Sequence, residues 1–152
     1  MDEERRLTEL FAKLGARNPG TWARSQVEEG TPQLARFLFL RQAWRLLVDK
    51  HDRSWIAICH ESGSSGGPGA VVGPALDRLV ALGVNEADLT TVVRAMQWKI
   101  LSGLCYLLDD PGDVEEEVRD IAWHLFQVNE DDEPIATIGG LHESVLETEP
   151  RY

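Results

Sequence analysis

Two long apolar segments constrain the fold of this chain more than any other feature. Between Pro32 and Lys50, Leu34, Phe37, Leu38, Phe39, Leu40, Trp44, Leu46, Leu47 and Val48 cover well over one helical stripe. From Asn85 to Leu108, Leu89, Val92, Val93, Met96, Ile100, Leu101, Leu104, Cys105, Leu107 and Leu108 do the same. A helix that is apolar on most sides must be covered from several directions. The expectation is therefore an all-α, compact bundle of six or seven helices, with these two long central apolar helices packed on each other.

The remaining segments fit that frame. Leu7, Leu10, Phe11 and Leu14 form one helical stripe over residues 3–14, stopped by Gly15. After Asn18-Pro19-Gly20, Thr21 reads as the cap of a short helix through Glu29, closed by Gly30. Thr31-Pro32 opens the first long helix with a capping hydroxyl and a Pro at the first helical position. Asp52-Arg53-Ser54 breaks the chain, and Trp55–His60 fits a short helix better than a strand, since no other segment offers a sheet partner. A helix over 70–82 places Val71, Val72, Leu76, Leu79 and Val80 inward and ends at Gly83. Asn85 caps the second long helix, with Asp88 three residues on. Asp109–Gly112 is a tight turn, Asp113 caps a helix over 114–128 with Val114, Val118, Ile121, Ala122 and Leu125 inward, and 130–134 is a solvated loop. A last short helix falls near Leu141–Glu147. The reading is a single helical domain, 1–152, with a flexible Gly/Ser-rich connector at 61–69.

The charge is polarised. Residues 1–60 carry ten Lys/Arg against eight Asp/Glu, a net of +2, and residues 61–152 carry five against eighteen, a net of −13; together these give the −11 of the chain. Such a field repels nucleic-acid phosphates and anionic membranes and attracts basic surfaces. The expected partners are a basic protein or a second copy of the chain in a homodimer, with no nucleic acid and no membrane. The charged start, Met1 to Arg6, has no apolar leader core, and the expected location is cytoplasmic. Cys59 and Cys105 then read as reduced, packed thiols.

No catalytic set is complete. Gly63–Gly69 lacks the Lys-Ser/Thr that a phosphate-cradling P-loop needs, and reads as a connector. Of His51, His60, His124 and His142, no two stand one helical turn apart as zinc ligands would, although Asp120 and His124 could pair on a helix. Glu116, Glu117 and Asp120 could hold a Mg²⁺, which takes oxygen ligands. This trio resembles half of the metal-binding pattern of all-α nucleotide pyrophosphohydrolases. The resemblance implies a facing carboxylate pair on the preceding helix, and residues 89–105 contain no Asp or Glu to supply it. The acids then read as dipole-favoured charges at a solvated helix start. Arg41 and Arg45, with Arg36, Arg17 or Arg24, could form a basic pocket, or pair with the acids of 109–133. The expected function is an acidic helical interaction or regulatory module for a basic protein. The alternative is a small Mg-dependent nucleotide-hydrolysing or ligand-binding helical protein.

Overall fold

The computed structural model describes residues 2–62, 68–110, 112 and 115–150. Among them the chain is mostly helical, with seven α-helices and a two-stranded antiparallel sheet. The helices are α1 (Glu3–Lys13), α2 (Pro19–Glu29), α3 (Gln33–Trp44), α4 (Ser54–Ser62), α5 (Val72–Ala81), α6 (Glu86–Asp109) and α7 (Leu141–Ser144), and the strands are β1 (Leu125–Val128) and β2 (Pro134–Ile138). The chain forms two compact units, one of residues 1–46 and 101–152, the other of residues 47–100. No helix among the described residues is long and apolar enough to cross a membrane.

The first unit is organised by the α1 stripe. Leu7 and Phe11 are buried with Trp22, Ala23 and Phe37, and Leu14 and Leu34 pack at the edge. The Phe11, Trp22 and Phe37 rings meet pairwise at centroid distances of 5.9, 5.6 and 5.4 Å, one pair stacked and two edge-to-face. Such geometries are worth ~0.5–1.5 kcal/mol per pair beyond the area they bury. α3 also meets α7 and β2, and Leu40, Trp44, Ile138, Leu141 and Val145 on and beside these elements are all buried. The Trp44 indole N–H donates to the Val145 carbonyl at 2.7 Å. It thereby ties the C-terminal segment to α3.

The caps differ from the sequence reading. α2 starts at Pro19 with Asn18 before it, two residues ahead of Thr21, and the Asn18 amide donates to Glu147 at 3.3 Å instead of capping. Pro32, not Thr31, precedes α3. The Leu34 N–H at the start of α3 is met by Gln26 Oε1 at 2.8 Å, so α2 caps α3 from outside. Gly30, at φ +69°, supplies the left-handed turn between them.

The second unit has few buried residues, among them Leu76, Thr90 and Gly73. Polar contacts do much of the joining. Trp55 Nε1 donates to Thr90 Oγ1 at 2.9 Å, Gln97 Oε1 accepts from the Val48 N–H at 2.8 Å, and the Arg94 guanidinium donates to the Val48 carbonyl at 2.6 Å. Gly73 lies so close to His60 that an added Cβ would come within 3.2 Å of its ring. Trp55–His60 is helical, as the sequence suggests.

Three expectations are corrected. α3 ends at Trp44 rather than Lys50, and a Gln97-bonded loop follows. α6 is not covered on all sides, since Val92, Met96, Ile100 and Leu104 are each more than half exposed. Of the residues expected inward on α5, Leu76 is buried, while Val71, Val72, Leu79 and Val80 are exposed.

The helix expected over 114–128 is absent. Glu116–Val118 makes one 3-10 turn, and residues 125–128 form β1. The competing interaction is local pairing with the Ile135–Ile138 stretch, in register Leu125 to Ile138 and Gln127 to Ala136, with a bulge at Gln127/Val128. Asn129 Oδ1 accepts the Asp131 and Glu133 N–H groups, and Asp132 takes φ +62°, so the acidic loop is a hairpin turn. Asp113, the expected cap, and the connector residues 63–67 lie outside the described residues.

Candidate interaction groove

Within the first unit, the end of α3 and the end of α6 flank a cavity of about 490 Å³. Its apolar wall is formed by Phe39, Leu46, Leu101, Leu104, Leu108 and Trp123, with Gln42 and Arg45 at its polar margin. The volume falls in the ~300–1,000 Å³ range of ligand-binding pockets. The cavity is open: Leu46 is 81% exposed, Leu104 52% and Trp123 38%. The two ends that the sequence marks as over-apolar therefore meet across a groove rather than in a closed core. Trp123 is held there by its indole N–H, which donates to the Leu107 carbonyl at 2.8 Å.

The chain between Leu108 and Trp123 is acidic. Asp110, Glu115, Glu116, Glu117 and Asp120 are all exposed, as are Glu130 to Glu133 at the hairpin turn. Arg119 answers one of them, Glu116, at 3.4 Å. Apolar Val118, Ile121, Phe126 and Ile135 are exposed among these acids. Both ends of the acidic run thus border groove residues.

The arginines are divided. Arg17 contacts Glu149, by its carbonyl at 3.0 Å and its carboxylate at 3.9 Å, and Arg24 contacts Glu4 at 3.6 Å. Arg45 donates to Gln42 at 3.3 Å. Among the described residues neither Arg41 nor Arg45 makes an ion pair with the acids of 109–133. Among the described residues no group of three or more His, Cys, Asp or Glu side chains is placed to hold a metal. Glu116, Glu117 and Asp120 sit on or beside the 3-10 turn and point their charge outward. His124, no longer on a helix with Asp120, packs edge-on against Phe126 at 6.2 Å.

Asp109, at the C-terminus of α6, is tied to the start of α7 through Oδ2, while its Oδ1 is buried and unpartnered among the described residues. Its Oδ2 accepts the His142 backbone N–H at 2.8 Å and lies 2.6 Å from the His142 ring, with the carboxyl side chain only 7% exposed. Burial pushes its pKa up, but the hydrogen bonds from His142, with the Leu141 N–H nearby, outweigh burial and hold it below the ordinary carboxylate value. A depressed folded-state value stabilises the fold above the unfolded-state pKa of about 3.9 and loses that contribution as the pH falls through the lower folded value. Asp109→Ala is expected to lose ~1.5–3 kcal/mol near neutral pH, the worth of a hydrogen bond to a charged group. Urea midpoints measured down to acid pH should then fall less steeply for the variant than for the parent. The 33-residue separation of this pair left no local signal in the sequence.

Cys105 lines the groove wall, is 1% exposed, and its thiol is pushed up to about 11 by burial and by the nearby Asp109 charge. Cys59 is half-buried, and both thiols are free. Since the thiolate is the reactive form, limited iodoacetamide treatment of the native protein should label Cys59 well before Cys105, as read by peptide mass spectrometry.

No protein-family model matches the chain, and neither a curated protein nor a solved structure matches it. The groove and its acidic border therefore carry the functional argument by themselves.

Proposed function

We propose that this protein is an interaction module that takes an amphipathic, basic segment of another protein into the groove between α3 and α6. The observation that carries the reading is the joining of one open apolar groove to one almost uncompensated acidic run on the same stretch of chain. A helix laid in such a groove buries its apolar anchors against Leu104, Leu108 and Trp123. Its Lys and Arg side chains then face the carboxylates of 110–120. Long-range attraction raises the association rate and makes it salt-sensitive, whereas residence depends on the apolar anchors. Arg45 at the margin favours the same orientation by repelling basic residues from that side.

The test uses defined peptides. A helical Leu/Lys peptide with leucines at i, i+3, i+4 and i+7 is titrated while Trp123 emission is followed, with a Trp123→Phe variant to assign the signal. Saturable binding is expected that weakens as salt is raised, and Leu104→Asp should weaken it at least tenfold. A Leu/Glu peptide of the same pattern should not bind. Failure of the Leu/Lys peptide, or equal binding of the Leu/Glu peptide, overturns the reading. Sedimentation that finds a dimer dissociated by Leu104→Asp would assign the groove to a second copy of the chain instead. Binding of an uncharged apolar dye that the peptide cannot displace would assign it to a small ligand.

A further inference from the structure

The first unit contains a second cavity, of about 220 Å³, between α2, α3 and α7. Its lining includes Trp22, Glu29, Gln33, Arg36, Ser144 and Glu147. Trp22 and Gln33 are 5% and 7% exposed, yet the Trp22 indole N–H and the Gln33 Oε1 are buried polar atoms with no hydrogen-bond partner among the described residues. Gln33 spends its NH₂ on Ser25 Oγ at 2.7 Å. Inverting that amide would leave an N–H unmet in place of the oxygen, so one group of Gln33 stays unsatisfied either way. Buried polar groups are nearly always paired, and each exception points to something that meets it.

Arg36 adds a charge to the same lining. Its guanidinium is half-buried, which lowers its pKa against the opposing pull of Asp109, Glu143 and Glu29. No carboxylate among the described residues lies within ion-pair distance of it, and its one hydrogen bond there reaches Ser144 Oγ at a long 3.5 Å. Its place is fixed by Gly140, at φ +69°, where an added Cβ would stand 2.8 Å from Nη2. The same lining carries two carboxylates, of exposed Glu29 and of Glu147, the latter also accepting from the Asn18 amide at 3.3 Å.

We propose that this cavity binds a small zwitterion bearing a carboxylate and an ammonium group, with the size and chemistry of a free α-amino acid. The carboxylate would be received by Arg36, Ser144 and the Trp22 N–H, and the ammonium by Glu29, Glu147 and the Gln33 oxygen. A phosphate would meet two carboxylates against one guanidinium, and a simple amine would meet Arg36. A molecule with both charges answers the guanidinium and the carboxylates of the lining together. The volume lies below the ~300 Å³ at which pockets for drug-sized ligands begin, which favours a metabolite of few atoms.

The Trp22 indole resonance in a ¹H–¹⁵N spectrum, assigned with Trp22→Phe, reports directly on the cavity. It is followed while each of the twenty common L-amino acids is titrated into the protein, with acetate, methylammonium and inorganic phosphate as probes of single charge. At least one amino acid should move the resonance saturably, and the three single-charge probes should not at the same concentration. Arg36→Gln and Glu29→Gln should each weaken that binding at least tenfold. Glu29 is exposed, so the second variant keeps the fold even if the first does not. Leu104→Asp, in the other groove, should leave it unchanged, which separates this site from the peptide-binding one. A resonance that no amino acid moves means the cavity holds water alone and overturns the proposal. Response to phosphate alone, or binding indifferent to Glu29→Gln, overturns it as well.

Discussion

Phe11→Ala is expected to lower the stability of the protein by ~3–5 kcal/mol, the range for truncating a buried aromatic ring. Phe11 is fully buried and touches both other rings of the aromatic trio, so its loss removes one stacked and one edge-to-face contact at a single stroke. The gap cannot close easily, because Trp22 and Phe37 are held against each other at 5.4 Å. Against a total of ~5–15 kcal/mol for a typical domain, this is a large fraction. Urea unfolding followed by tryptophan fluorescence should show a midpoint far below that of the parent. Phe11→Leu, which keeps most of the volume, should recover more than half of the difference. Equal stability of Phe11→Ala and the parent would mean that α1 is not packed on α2 and α3 as described.

A second large effect is expected at Trp44, where two substitutions separate packing from hydrogen bonding. Trp44 is 2% exposed and its indole N–H reaches the Val145 carbonyl. Trp44→Ala should cost ~3–5 kcal/mol. Trp44→Phe keeps much of the apolar contact and loses one hydrogen bond, ~0.5–1.5 kcal/mol, since the Val145 carbonyl still accepts the Thr148 hydroxyl at 3.0 Å. The difference between the two variants is the share due to packing. Amide exchange should locate the damage, with protection falling first over Leu141–Thr148, the segment that Trp44 holds. Since Ala43 and Arg45 flank Trp44 and line the groove, the Phe variant should also weaken capture of the Leu/Lys peptide, through loss of preorganisation rather than of contacts.

The parts of the fold that local patterns could reveal are those with one apolar stripe and a clear stop. Leu7 and Phe11 are buried at the spacing that their sequence positions announce, and α1 ends beside Gly15. Asn85 begins α6 by accepting the Ala87 N–H, and α6 runs to Asp109, one residue beyond Leu108. Patterns failed where a partner outside the helical window decided the outcome. Residues 118, 121, 122 and 125 have helical spacing, but β2 lies close enough in sequence to take 125–128 into a hairpin, and its β-branched Ile135, Thr137 and Ile138 favour that pairing. The greasiness of α3 and α6 was legible, whereas its meaning was not. An apolar surplus looks the same in a sequence whether it is destined for a core or for a partner. Arg36 stood among five candidate arginines, and nothing but the fold could show that it shares a cavity with Trp22 and Gln33.

The hairpin carries one more consequence. Among the described residues β1 and β2 pair with each other alone, so each keeps an outer edge of unspent backbone donors and acceptors. Such edges invite a further strand from a neighbouring molecule. Here Pro134 blunts the start of β2, the bulge at Gln127/Val128 disturbs β1, and like charge at Glu130–Glu133 keeps copies apart. Beside the recruitment we propose for it, the negative charge would then serve as a gatekeeper against self-templating. Replacing those carboxylates with amides removes the guard while leaving Phe126, Val128 and Ile135 in the open, and colloidal stability should fail there before the fold does.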